Sequence, residues 1–163
     1  MTDQIQSSIV IERIYAAQPQ ELWSLWTTKD GFQSWWGPEG FRADVSEIDA
    51  RPGGALRYEM VADSAEMVVA MKDMGQPTST DCNGRFSEFR PFERLVLTQV
   101  IDFIPGVQPY DSIMEVDFIP SADGKVRMIV TLSQMHDLQT TQMQQAGFTS
   151  QLSKLDRRFG WSA

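Results

Sequence analysis

Between Phe41 and Met135 apolar side chains recur at alternate positions, and beyond Asp137 the spacing changes to that of a helix. Alternation places successive residues on opposite faces of a strand, so Phe41, Ala43 and Val45, then Leu56, Tyr58 and Met60, then Met67, Val69 and Met71 read as the inward-facing sets of successive strands. Phe148, Leu152, Leu155 and Phe159 fall instead at i, i+4, i+7 and i+11, a single stripe that a helix keeps only by burying it. A series of strands followed by one long helix leaves few compact solutions. The one expected here is an α+β domain in which an antiparallel sheet has one face covered by that helix.

The flanking segments agree. Ile9–Tyr15 is rich in β-branched residues and reads as a strand. Pro19, favoured at a first helical position, opens a short amphipathic helix over about 19–28 with Leu22, Leu25 and Trp26 on one face. Asp30 with Gln33 predicts the cap of a second short helix carrying Phe32, Trp35 and Trp36, stopped by Gly37-Pro38. Arg51-Pro52-Gly53-Gly54 and Asp123-Gly124 are turn signals joining strand pairs. Residues 73–83 lose all periodicity and are expected to form a long surface loop, and strands resume at Arg85–Arg90 and Leu95–Phe103. The terminal helix is expected over 141–159, with Thr141 and Gln144 as its capping box, Arg157 and Arg158 at the negative end of its dipole, and Gly160 as its stop. No repeat or long linker divides the chain, so 1–163 reads as one domain with its core in about 9–160.

Composition excludes several functions. A net charge of −8 repels phosphate backbones and anionic headgroups, so neither nucleic acid nor a membrane surface is an expected partner. One cysteine and one histidine cannot build a disulfide, a thiolate cluster or a multi-histidine metal site, and no metal or cofactor is expected. Met1-Thr2-Asp3-Gln4-Ile5-Gln6 lacks the basic start and apolar stretch of a secretory signal, so the expected location is the cytoplasm.

Ile11-Glu12-Arg13, Ala17-Gln18-Pro19-Gln20-Glu21-Leu22-Trp23 and Trp35-Trp36-Gly37-Pro38 occur in an order that resembles the opening of START-like (Bet v 1-like, SRPBCC) domains. Asp49-Ala50-Arg51-Pro52-Gly53-Gly54, Gly84-Arg85-Phe86-Ser87-Glu88, Pro91-Phe92-Glu93-Arg94-Leu95 and Gly147-Phe148 extend the likeness over about residues 9–160. Within that superfamily the chain is similar to the subfamily named for the C-terminal domain of the activator of the heat-shock-protein-ninety ATPase. The resemblance implies a helix-grip fold, a curved antiparallel sheet wrapped around a long C-terminal helix with a hollow between them. Gln18 stands where a small residue or proline is common in the family and Phe148 where tryptophan is usual.

Six residues are expected around that hollow: Trp35, Tyr58, Met71, Phe86, Met128 and Phe148, with the Tyr58 phenol as a polar handle. Each has a plainer reading. Adjacent Trp35 and Trp36 cannot point the same way and serve equally well as core and rim. Met60, Met67, Met71, Met114, Met128, Met135 and Met143 suit an adaptable pocket, or ordinary core filling. His136-Asp137 is the one place where acid–base chemistry could be argued, although on a strand the two side chains would diverge. Cys82 is expected in a polar loop, exposed. Arg13 is expected to pair with a structural carboxylate.

Three functions follow, in order of preference. The first is a cavity that binds a small apolar or aromatic molecule, uncharged or weakly anionic, without covalent chemistry. The second is a protein-interaction module, chaperone-associated or a homodimer, using exposed aromatics of the first helices. The third is a cyclase, dehydratase or hydrolase, which would need two or more titratable groups facing the hollow; no catalytic residue is assigned.

Overall fold

The computed structural model describes residues 8–161. Strand β1 (Ile9–Tyr15) is followed by helices α1 (Pro19–Thr27) and α2 (Lys29–Gln33), strands β2 (Phe41–Ile48) and β3 (Ala55–Ala62), and helix α3 (Ala65–Asp73). Then come β4 (Ser79–Arg90), β5 (Arg94–Ile101), β6 (Tyr110–Pro120) and β7 (Val126–Leu132), and last the long helix α4 (Leu138–Phe159). The strands form one antiparallel sheet in the order β1-β7-β6-β5-β4-β3-β2. Five of its pairings join neighbours in sequence; β1 alone reaches across the chain, with Ile9 opposite Leu132 and Tyr15 opposite Val126. Register slips between Val45 and Glu47 and between Phe86 and Glu88 bend the sheet, as an extra residue on one strand increases local twist.

Helix α4 lies in the curve. Phe148, Leu152 and Leu155 are buried, Phe159 is half-buried, and the expected stripe therefore faces the sheet. Several ties hold it there. Tyr15 donates its hydroxyl to Asp156 at 2.6 Å and Arg13 Nε meets the same oxygen at 3.1 Å, so the arginine pairs with the helix rather than across the sheet. Gln151 Oε1 accepts the Gly37 amide at 2.9 Å, and Lys154 Nζ donates to the Gly37 carbonyl at 2.8 Å. Gly37 has φ 106°, where a side chain would be strained.

Four expectations change. Helix α4 begins at Leu138, three residues before the expected start, because Asp137 is its cap: the carboxylate accepts the Thr140 amide at 2.7 Å. Likewise Thr28, not Asp30, caps α2 by accepting the Gly31 amide at 3.1 Å, and Trp35 and Trp36 lie just beyond that helix. Met67, Val69 and Met71 are helical. Ser64 caps α3 by accepting the Met67 amide at 3.0 Å, and Ala, Glu and Met are strong helix formers. Met67 and Met71 satisfy i, i+4 as well as alternation, and Val69 between them is 56% exposed. Finally, only 74–78 of the expected 73–83 loop is irregular, since β4 starts at Ser79 and places Cys82 opposite Tyr58. No helix among the described residues is long and apolar enough to cross a membrane.

Candidate functional site

Beneath the middle of α4 the space is closed by aromatic rings. Trp26, Trp35 and Trp36 meet in edge contacts at 5.0–5.5 Å, Phe32 stacks on Trp36 at 4.5 Å, and Phe148 comes down on Trp35 and Trp36 at 6.3 and 6.1 Å. Trp35 donates its indole N–H to the Leu25 carbonyl at 2.7 Å, and Trp36 donates to the Tyr58 hydroxyl at 3.0 Å. Both indoles are buried, so neither gates an opening.

Toward the first turns of α4 the rings stop and a cavity of about 290 Å³ opens. Strand β3 contributes Tyr58 and Met60 to its wall, and β4 contributes Thr80, Cys82 and Asn83. Gln99, Val100 and Ile101 come from β5, while Phe103, Met135 and Gln144 border the rim and the helix side. Opposed positions Tyr58 and Cys82, and Met60 and Thr80, lie side by side across β3 and β4. Where β4 continues, Gly84 faces Gln99 on β5. A Cβ on Gly84 would come within 2.9 Å of the Thr98 carbonyl oxygen and 3.2 Å of Gln99 Cγ. Glycine therefore leaves the Gln99 side chain room to lie over the sheet and donate Nε2–H to Tyr58 at 2.7 Å.

Trp36, Tyr58 and Gln99 thus form a chain in which the phenol oxygen accepts twice. Its own proton is left to point toward the Cys82 sulfur. Burial holds the Tyr58 hydroxyl far above its ordinary pKa, so it stays a neutral donor. Burial pushes the Cys82 thiol up to about 11, opposed by the hydrogen bond from Tyr58 and helped by the carboxylates of Asp81 and Asp102. A thiol held protonated is a poor nucleophile. On the helix side, the Gln144 carbonyl oxygen is shut off from solvent and has no hydrogen-bond partner among the described residues. Among the described residues, the lining includes no lysine, arginine, histidine, aspartate or glutamate.

Of the six residues expected around the hollow, Tyr58 lines this cavity. Trp35 and Phe148 belong to the aromatic cluster, Phe86 and Met128 are fully buried in the core, and Met71 sits half-buried on α3. Cys82, expected exposed in a loop, is a wall residue. Gln99 and Gln144 were legible only as anomalies. Gln99 interrupts the inward-facing series Leu95, Leu97, Ile101, and Gln144 lies four residues before Phe148, continuing the apolar stripe with an amide. His136 is engaged outside the cavity: its Nδ1 meets the Tyr110 hydroxyl at 2.8 Å and its Nε2 lies 3.5 Å from Asp137. The two side chains converge instead of diverging because β7 has ended at Leu132. Among the described residues, no three His, Cys, Asp or Glu side chains come together as a metal site would require.

The family model described as Activator of Hsp90 ATPase homolog 1-like protein matches residues 16–160. No curated protein matches the chain. A crystal structure of a Chromobacterium violaceum protein is 25% identical, with a TM-score of 0.74 over 95% of this chain and 98% of that one. The AHSA1 protein from Silicibacter pomeroyi is 20% identical, with a TM-score of 0.73 over 94% of this chain and 98% of its own. An AHSA1-like protein from Aeromonas hydrophila, solved in solution, is 20% identical, with a TM-score of 0.65 over 93% and 90% of the two chains. These likenesses match the curved, unclosed sheet and C-terminal helix described above.

Proposed function

Since the chain belongs to the family of Activator of Hsp90 ATPase homolog 1-like proteins, and a fold does not by itself fix a function, we propose from the site that it is a binding protein for a small, largely apolar molecule held in the cavity between β3, β4, β5 and the first turns of α4. The observation that carries this reading is the contrast inside one helix–sheet space. Aromatic side chains fill its middle, while about 290 Å³ beside Tyr58, Cys82, Gln99 and Gln144 is left unfilled. At ~30 Å³ per water that is room for on the order of ten waters, or for a compact one- or two-ring molecule. An apolar wall with a few polar groups is the usual construction of such a site.

Catalysis draws no support from the lining, which offers a protonated thiol and a neutral phenol but no group titrating near neutrality. An interaction surface made of the aromatics of α1 and α2 draws none either, because Trp23, Trp26 and Phe32, with Trp35 and Trp36 beyond α2, are all buried.

Two measurements test the proposal. Native mass spectrometry of freshly purified protein is expected to show a small molecule released on collisional activation. Cys82, the only cysteine, reports occupancy, and its alkylation is expected to slow when aromatic compounds are added. Cys82→Phe, which puts a ring into the space, is expected to abolish uptake while keeping the fold. Alkylation indifferent to a broad aromatic and acyl library, with no co-purifying compound, overturns the reading.

A further inference from the structure

Helix α4 is fastened along one part of its length and not along the other. Beyond Gly147 its side chains Phe148, Gln151, Leu152 and Leu155 are buried. Polar ties add to that burial: Ser150 Oγ accepts the Glu39 amide at 3.0 Å, Gln151 and Lys154 hold the amide and the carbonyl of Gly37, and Asp156 meets Tyr15 and Arg13. Over 138–147 none of this recurs. Thr141 is the one buried side chain there, and its hydroxyl is engaged locally, accepting the Met135 amide at 2.9 Å and donating to the Asp137 carbonyl at 2.8 Å. Leu138 and Met143 are 65% and 66% exposed. Among the described residues, no hydrogen bond or ion pair joins 138–147 to a strand or to another helix.

The boundary between the two parts is a glycine that packing does not require. A Cβ on Gly147 would meet nothing within 4 Å, and its φ is not positive, so alanine would fit. Glycine inside a helix is nonetheless less favourable than alanine, because it has more backbone freedom to lose. Without tertiary contacts a helix shorter than ~12 residues is marginal in water, and 138–147 is nearly in that position. The same segment, through Gln144, forms the helix side of the cavity whose sheet wall carries Cys82. Resting on the binding reading above, we infer that 138–147 is a lid: it unwinds from the sheet as a unit, Gly147 is the point at which the unwinding stops, and the ligand enters and leaves beneath it while 148–159 stays clamped.

Amide hydrogen exchange and alkylation of Cys82 by iodoacetamide, both on the full chain without ligand, read the opening. Amides of 142–147 are expected to exchange about tenfold or more faster than those of 152–159. Gly147→Ala is expected to slow exchange of 142–147 and alkylation of Cys82 alike, by about fivefold. Thr149→Ala is the control. Thr149 is exposed just inside the clamped part, so the substitution favours helix there and is expected to raise the thermal midpoint while leaving both rates unchanged. The inference is overturned if 142–147 is protected as fully as 152–159, or if Gly147→Ala leaves alkylation unchanged. It is overturned equally if Thr149→Ala slows alkylation as much as Gly147→Ala does, since Cys82 is then reached by unfolding of the whole domain. The binding reading fails separately, when aromatic compounds do not slow alkylation of the parent, and the ligand-free rates still decide whether the lid opens.

Discussion

Under the middle of α4, three indoles meet at 5.0–5.5 Å and the Phe148 ring closes over them, whereas under its first turns Met60, Cys82, Gln99 and Gln144 stand around an unfilled space. The two regions share a helix, a sheet and a continuous apolar stripe. What separates them is the volume of the side chains facing the helix and one residue on the helix itself. Phe32, Trp35 and Trp36 bring rings to the first region, while β4 offers Thr80 and Cys82 to the second, and the stripe that runs Leu152, Phe148 ends in Gln144. Stability and ligand uptake are thereby assigned to different parts of one interior, with Tyr58 at the border between them.

That division predicts a graded response. Trp35→Ala, which empties a closed site and removes the bond to the Leu25 carbonyl, is expected to cost about 3–5 kcal/mol in denaturant unfolding. Leu155→Ala, a buried stripe residue, is expected to cost about 2–5 kcal/mol. Neither variant should alter ligand affinity once compared at equal folded fraction, and a specific loss of affinity in Trp35→Ala would break the separation. Tyr58→Phe acts on the border. It leaves the buried Trp36 N–H without its acceptor and is expected to cost about 1–3 kcal/mol, together with a measurable drop in affinity. Met60→Ala merely enlarges the opening, so its expected cost is under about 2 kcal/mol, with larger ligands gaining relative to smaller ones.

The smallest effect is one of pH. Burial pushes the Cys82 thiol up to about 11, above the ~8.5 of an unfolded thiol. The folded chain holds that proton more tightly, so its contribution to stability is whole below about pH 8.5 and is lost as the pH climbs through the folded value. Cys82→Ser is expected to lose less of its thermal midpoint than the parent between those limits. In the parent, alkylation should accelerate only as the thiol ionises at strongly alkaline pH. An alkylation profile centred near pH 8.5 would place Cys82 in water and remove it from the cavity wall.

What the sequence made legible follows the same boundary. The stripe of α4, the Asp123-Gly124 hairpin and the strand series were readable because their apolar residues are buried against other protein atoms, and periodicity records that burial. Ser79–Asn83 was not readable as a strand, since its inward positions Thr80 and Cys82 face open space and carry no apolar imprint. The α3 helix was misread for a different reason: Met67 and Met71 fit both periods, and the deciding signal was the Ser64 cap. Trp35, Phe86, Met128 and Phe148 were recognised as interior. The sequence could not say whether they line a space or fill it, because that depends on the summed volumes of side chains brought together from separate segments.

The pairing of β1 with β7 has a consequence for how the chain is made. Every other strand finds its partner within a hairpin or across α3, but Tyr15 meets Val126 and Arg13 meets Asp156 only after nearly the whole chain exists. At synthesis rates of ~5–20 residues per second, β1 leaves the ribosome roughly 6–22 s before the strand that receives it. Throughout that interval Val10, Ile11 and Ile14 form an unpaired β-branched segment, and closing so long a loop makes its docking a late and slow event. The strand first in synthesis is thus last in assembly, and substitutions in Ile9–Tyr15 are expected to speed unfolding while leaving the folding rate almost unchanged.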